Sequence, residues 1–185
     1  MREDTNELIR ALRRQDASAQ HLLLTRYGDL VFRHVTRIVA KPEDAEEVYQ
    51  DVFVKAFSSI DSYDERQASL ATWLCRIAHH ESLNFVRQRR PHIVFAEDGD
   101  LNINDIQDDT PPIYDESSKE QTIQLLDNAL QELPPDEQAL IAMFYFDGLG
   151  LKEIAYITDS IPSTIGSKLC RIRKKLYRTI QPLIQ

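Results

Sequence analysis

Apolar residues recur three and four positions apart through almost the whole chain, and no stretch alternates apolar and polar residues strongly enough to make a strand. That rhythm restricts the fold to packed helices. From about Asp16 to Ala40 it is carried by Leu23, Tyr27, Leu30, Val31, Val35 and Ile38, and from Pro42 to about Ser59 by Ala45, Val48, Val52, Phe53, Ala56 and Phe57. From about Ser69 to Arg89 it is carried by Leu70, Leu74, Ile77, Ala78 and Phe85. A short helix with Leu8, Ala11 and Leu12 comes first, with Asp4 to Glu7 as its capping box. Pro42 suits a first helical position, and Glu43, Asp44, Glu46 and Glu47 place negative charge where the helix dipole favours it. The polar stretch Asp61 to Ala68 reads as a loop.

The rhythm stops in residues 92–121 and resumes near Thr122. There Ile123, Leu126, Leu130 and Leu133 form one face of a helix. Pro134-Pro135 ends it and begins another that reaches Phe146, where Asp147-Gly148 breaks the pattern. A short helix around Lys152 to Ile157, a turn at Asp159 to Ile161 and a long helix from Pro162 to about Ile180 complete the chain. The expected fold is therefore all-α, with two small helical domains, 1–91 and 122–185, joined by a flexible linker over 92–121.

Charge marks the same boundaries. The chain carries a net charge of -8, and all of it lies in the linker, where nine acids face one basic residue, Lys119. The flanking segments are each neutral. A stretch so acidic, interrupted by Pro111-Pro112, reads as a tether. Each domain instead ends in a basic patch: Arg87, Arg89 and Arg90 in the first, and Lys168, Arg171, Arg173, Lys174, Lys175 and Arg178 in the second. A helix dipole accounts for one cation at a C-terminus, whereas this second cluster fits phosphate binding.

Several classes are excluded. Cys75 and Cys170 stand too far apart in sequence for a paired-cysteine metal module and suit a reducing compartment. His34, His79, His80 and His92 make no metal spacing with them, and there is no Gly-rich phosphate loop. No catalytic site, metal or cofactor is expected. No apolar run approaches the roughly 18 residues of a membrane span, and the start Met1-Arg2-Glu3-Asp4 lacks the apolar stretch of a signal peptide, so a cytoplasmic location without membrane contact is expected.

The last two helices have the proportions of a helix-turn-helix. In the second of them Ser163, Thr164, Ser167, Lys168 and Arg171 share one face, and Ile165, Leu169, Ile172 and Leu176 share the opposite one. Short hydroxyls and long cations suit base edges and phosphates, and Lys152, Lys174 and Lys175 add flanking charge.

The stretch Gly148-Leu149-Gly150-Leu151-Lys152-Glu153-Ile154-Ala155, followed by Thr164-Ile165 and by Ser167 to Leu176, resembles region 4 of bacterial sigma factors. Independently, Asp44-Ala45-Glu46-Glu47-Val48 with Gln50-Asp51-Val52-Phe53 and Lys55-Ala56-Phe57 resembles the region 2 helix that docks on RNA polymerase. Trp73 to Ala78, with Asn84, Arg87, Arg89 and Arg90, is similar to the part of region 2 that opens and reads the -10 element. Two motifs in this order, without the additional regions of larger sigma factors, resemble the extracytoplasmic-function subgroup. The resemblance implies a promoter-specificity subunit whose partners are core RNA polymerase and promoter DNA, with an anti-sigma protein as an optional third. It assigns Asp44, Glu46, Glu47, Gln50 and Asp51 to polymerase. Trp73, Arg76, His80, Asn84, Arg87, Arg89 and Arg90 go to the single-stranded -10 element. Lys152, Ser163, Thr164, Ser167, Lys168, Arg171, Lys174 and Lys175 go to the -35 duplex.

The helical wheel supports this assignment in part. Arg76, His80, Asn84 and Arg87 form one polar stripe with Trp73 at its edge, where an aromatic ring would stack on an unpaired base; Trp73 reads equally well as core. The chain also departs from the family. His80 stands where a small polar residue is common, Asp159 where glycine is frequent and Ile161 where a hydroxyl cap is frequent. Gly166 removes a side chain that often meets DNA, which shifts contacts toward Ser163 and Lys168. A stand-alone helix-turn-helix regulator with an N-terminal dimerisation or ligand domain is the alternative, and it leaves both region 2 resemblances unexplained.

Overall fold

The computed structural model describes residues 2–89 and 116–184, with side chains described over 4–89 and 123–181. Arg90, His92 and most of the acidic linker lie outside the described residues. The described residues contain helices and no strand. The first domain comprises α1 (Arg2–Arg13), α2 (Ala17–Thr36), α3 (Pro42–Ser59) and α4 (Leu70–Arg89), with a short 3-10 turn at Ile60–Ser62. The second comprises α5 (Glu116–Gln131), α6 (Pro135–Ile141), α7 (Leu151–Ile157) and α8 (Pro162–Ile184).

Local chemistry sets most of these boundaries. Asp16 caps α2, its Oδ1 accepting from the Ser18 and Ala19 amides at 2.8 and 3.1 Å. Helix α2 stops at Thr36, four residues before the expected end. Lys41, which precedes Pro42, is extended, as the residue before a proline tends to be. Ile38 and Val39 are buried in the intervening turn. Ser69 caps α4, its Oγ accepting from the Thr72 amide at 3.1 Å. The capping box expected at Asp4 is absent because α1 already begins at Arg2, and Asp4 instead pairs with Arg26 at 3.4 Å. Helix α5 starts at Glu116, inside the segment expected to be linker. Lys119, Glu120 and Gln121 are good helix formers and let the helix extend backwards.

Helices α2, α3 and α4 pack on one another around Leu23, Val31, Val35, Val48, Val52, Leu74 and Ala78, each at most 1% exposed. Burying each large aliphatic chain contributes about 2 kcal/mol. In the second domain the expected inner face of α8 is buried at Ile165, Leu169 and Ile172. The expected inner face of α5 is not: Leu133 is buried, but Ile123 and Leu126 are exposed.

The end of α6 widens into a π turn over Ala142–Phe146, where the Asp147 amide donates to the Ala142 carbonyl at 3.0 Å. Gly148 follows at φ +65, a conformation that favours glycine. The Glu153 carboxylate then accepts from the Gly150 amide at 3.0 Å and fixes the start of α7. Together these features deliver Asp147 to Arg37 of the first domain, with which it forms a half-buried ion pair.

The two domains meet. Helix α4 packs against α7, and the buried apolar cluster runs unbroken from the first domain into Leu133, Leu140, Ile154, Ile157 and Ile165 of the second.

Candidate polymerase and nucleic-acid surfaces

On α3 the apolar stripe faces inward and Glu46, Glu47, Gln50 and Asp51 are exposed. Asp44 is different. Its carboxylate receives Arg89 at 2.5 Å, and the same guanidinium reaches Glu47 at 3.0 Å and lies 4.4 Å from the Phe85 ring centroid. Arg89, expected to meet the -10 strand, therefore ties the end of α4 to the start of α3. Beside the acidic row, Gly28, Asp29, Phe32 and Tyr49 line a shallow depression with Glu46 and Gln50. Sequence periodicity gave no sign of this depression. It depends on the missing side chain at Gly28, where a Cβ would stand 2.8 Å from the Tyr49 hydroxyl.

On α4, Asn84 and Arg87 are exposed and Arg76 and His80 half-buried, so the polar stripe exists as expected. Trp73 does not sit at its edge. Only 5% exposed, it meets Tyr63 edge to face with ring centroids 5.5 Å apart, which places it in the core of the first domain. The wheel missed this because the Tyr63 loop folds back over the start of α4. That loop is anchored by the Tyr63 hydroxyl, which donates to the Ala68 carbonyl at 3.1 Å.

Beneath the stripe lie two buried histidines, His34 of α2 and His79 of α4, with ring centroids 5.7 Å apart. Desolvation lowers His34 to about 4, with Asp147 opposing and Arg37 reinforcing the shift. It lowers His79 to about 3, helped by the charges of His34, His80, Arg87 and Lys168. Both rings are neutral in the fold at neutral pH. Burial likewise pushes the Cys75 thiol up to about 12, which leaves it inert as a nucleophile.

On the second domain Lys152, Ser163 and Lys174 are exposed, and Thr164, Ser167, Lys168 and Arg171 are half-buried. Lys175 pairs with Glu137 at 3.1 Å. The reading face is not fully turned to solvent. Lys168 and Arg171 line a cleft of about 250 Å³ whose other walls include His79 and Arg87 of α4 and Asp136 and Glu137 of α6. Burial raises the Asp136 carboxyl above its ordinary value. Among the described residues no group of histidine, cysteine and carboxylate side chains is arranged to hold a metal ion, and no helix is long and apolar enough to cross a membrane.

A helical domain with an acidic row and a cationic stripe, followed by a helix-turn-helix with a basic last helix, is the arrangement that the resemblance to sigma regions 2 and 4 implies. Sequence comparison gives the same result. Sigma-70 region 2 matches residues 23–92, and Sigma-70, region 4 matches residues 123–176. The chain is 30% identical over 186 residues to the ECF RNA polymerase sigma-E factor of Haemophilus influenzae, covering 96% of this chain and 95% of that protein. It is 28% identical over 192 residues to the RNA polymerase sigma-H factor of Pseudomonas aeruginosa, covering 99% and 97%. The chain belongs to the extracytoplasmic-function family of RNA polymerase sigma factors. Among solved structures, CnrH in complex with the cytosolic domain of CnrY shares the fold, with TM-score 0.64 and 18% identity over 95% of this chain and 96% of that one. So does the sigma factor RpoE in complex with the anti-sigma factor NepR from Bartonella quintana, with TM-score 0.60 and 22% identity over 87% and 96%.

Proposed function

We propose that the chain directs core RNA polymerase to promoters by dividing the work among three helices. Helix α3 holds polymerase through Glu46, Glu47, Gln50 and Asp51. Helix α4 captures the separated -10 strand on the stripe of Arg76, His80, Asn84 and Arg87, and α8 reads the -35 duplex through Ser163, Thr164, Ser167, Lys168 and Arg171. The observation that carries this reading is the exposed acidic row on α3, one helix away from the cationic stripe on α4. Polymerase docking would thereby bring the strand-binding stripe to the DNA. The chain supplies no catalytic group and acts in the cytoplasm, where an anti-sigma protein is a further partner.

The domain boundaries proposed are 1–91 and 122–185. Of the intervening residues, 92–115 reach about 80 Å when extended, and 116–121, which are the first turns of α5, add about 9 Å. Promoter elements some 25 base pairs apart are separated by about 85 Å. The two domains therefore bind both elements only after leaving the arrangement in which they pack together. The test is reconstituted transcription with purified core polymerase on a randomised promoter library. Enrichment of two spaced elements is expected; initiation no more selective than core polymerase alone overturns the reading.

A further inference from the structure

We infer that Asp159, in the turn of the helix-turn-helix, latches the free chain shut by occupying Arg76, a cation of the strand-binding stripe. The turn carries this carboxylate in an unusual backbone setting. Asp159 has φ +52, a left-handed conformation that glycine adopts freely and aspartate at a modest cost. The turn itself is otherwise satisfied, because the Thr158 hydroxyl donates to the Ile154 carbonyl at 2.9 Å and the Ser160 amide to the Ala155 carbonyl at 2.9 Å. Nothing in the turn's own hydrogen bonding requires an acid at this position.

The carboxylate is used across the domain boundary. Its Oδ1 lies 2.5 Å from Arg76 Nη2 and its Oδ2 lies 3.0 Å from His80 Nε2. The imidazole contact is close but out of line for a hydrogen bond, so Arg76 is the main partner. The Arg76 guanidinium also lies 4.9 Å from the Tyr156 ring centroid, a second hold from α7. A carboxylate of the second domain thus sits on Arg76, a cation assigned to the DNA strand.

Closure also has a cost that such a latch offsets. It brings Arg87 of the stripe to the same cleft as Lys168 and Arg171 of the reading helix. Two surfaces suited to phosphate are gathered together, and like charges oppose their approach. Acids from the second domain counter this: Asp136 and Glu137 line the cleft itself, and outside it two ion pairs cross the boundary, Asp147 on Arg37 and Asp159 on Arg76. Only the second of these pairs takes up a residue of the stripe. Strand DNA and the helix-turn-helix therefore compete for Arg76, so capture of the -10 strand itself favours separation of the domains.

This inference rests on the assignment of the α4 stripe to the strand, and the experiment separates the two. Asp159→Asn removes the charge, and Asp159→Gly removes both the charge and the backbone strain, so a fold defect in one is absent from the other. Small-angle scattering of the full-length free chain measures closure, and anisotropy of a short randomised single-stranded DNA measures strand binding at low and moderate salt. Both variants are expected to raise the radius of gyration and to bind the strand roughly three- to tenfold more tightly, with the gain shrinking as salt rises. An unchanged radius of gyration in both variants overturns the latch. Expansion without tighter strand binding overturns the competition, provided that Arg76→Ala still blocks promoter opening by holoenzyme. If Arg76→Ala leaves promoter opening intact, the strand assignment falls, and with it the competition inferred from it.

Discussion

Acidification should destabilise the first domain through His34 and His79, and the size of the effect follows from their burial. An ordinary histidine titrates near 6.5, whereas these two titrate at about 4 and about 3 in the fold. At pH 5.5 the unfolded chain protonates both rings and the folded chain protonates neither. The unfolded state then binds more protons, so stability falls as pH falls. The contribution is fully present above pH 6.5 and is lost progressively as pH drops toward the folded values. One pH unit below the ordinary pKa, each locked ring costs about 1.4 kcal/mol, and the two together cost about 3 kcal/mol.

The groups facing these rings belong to both domains. His34 meets Asp147 and Arg37, and His79 meets His80, Arg87 and Lys168, with Asp136 and Glu137 across the cleft. Urea unfolding followed through Trp73, which lies in the same domain core, measures the effect directly. Wild type should lose about 3 kcal/mol between pH 7.5 and 5.5, and His79→Leu should lose about half as much. Parallel losses in wild type and His79→Leu over that interval would refute the argument.

Trp73→Ala should cost the first domain about 3 to 5 kcal/mol, read as a lower melting temperature, while Trp73→Phe largely restores it and supports normal promoter opening. Replacing Glu46 and Asp51 by lysine should weaken core polymerase binding by titration without altering the melting temperature, because neither is tied to Arg89. Lys168→Ala should lower the salt slope of -35 duplex binding by about one, measured on the holoenzyme. Gly166→Ala should stabilise α8 by up to about 1 kcal/mol, since the nearest atom to an added Cβ there is Leu151 Cδ1 at 4.0 Å.

Most of the helices were legible in the sequence because their boundaries are written in local chemistry. Asp16, Pro42, Pro135 and Gly148 each act within one turn of the place they mark. The errors fall where tertiary context overrides the pattern. The periodicity extends α2 too far because Ile38 continues its apolar rhythm, whereas Ile38 and Val39 are buried from a turn. Ile123 and Leu126 carry a regular apolar spacing yet are exposed, since α5 is covered by α8 only along part of its length. Periodicity identifies which residues share a face; it does not say whether anything covers that face.

The candidate surfaces divide in the same way. The stripe on α4 and the reading face on α8 were legible because each lies on one helix and obeys one period. The contacts of Trp73 and Arg89 lie outside the wheel because their partners, Tyr63 and the acids of α3, are brought to them by turns that no wheel of α4 contains. The contact between Arg76 and Asp159 spans 83 positions and two domains, which puts it beyond any periodic argument. What the sequence did offer was an oddity, an acid where the turn favours glycine. Aspartate tolerates the left-handed region better than most residues but less freely than glycine, and the carboxylate it places there meets a cation on the opposite domain. Asp147 reaches across without backbone strain of its own, since the π turn that carries it puts the carboxylate on Arg37. Two carboxylates of the second domain, one of them in a left-handed turn, thus meet arginines of the first, and separating the domains breaks both ion pairs.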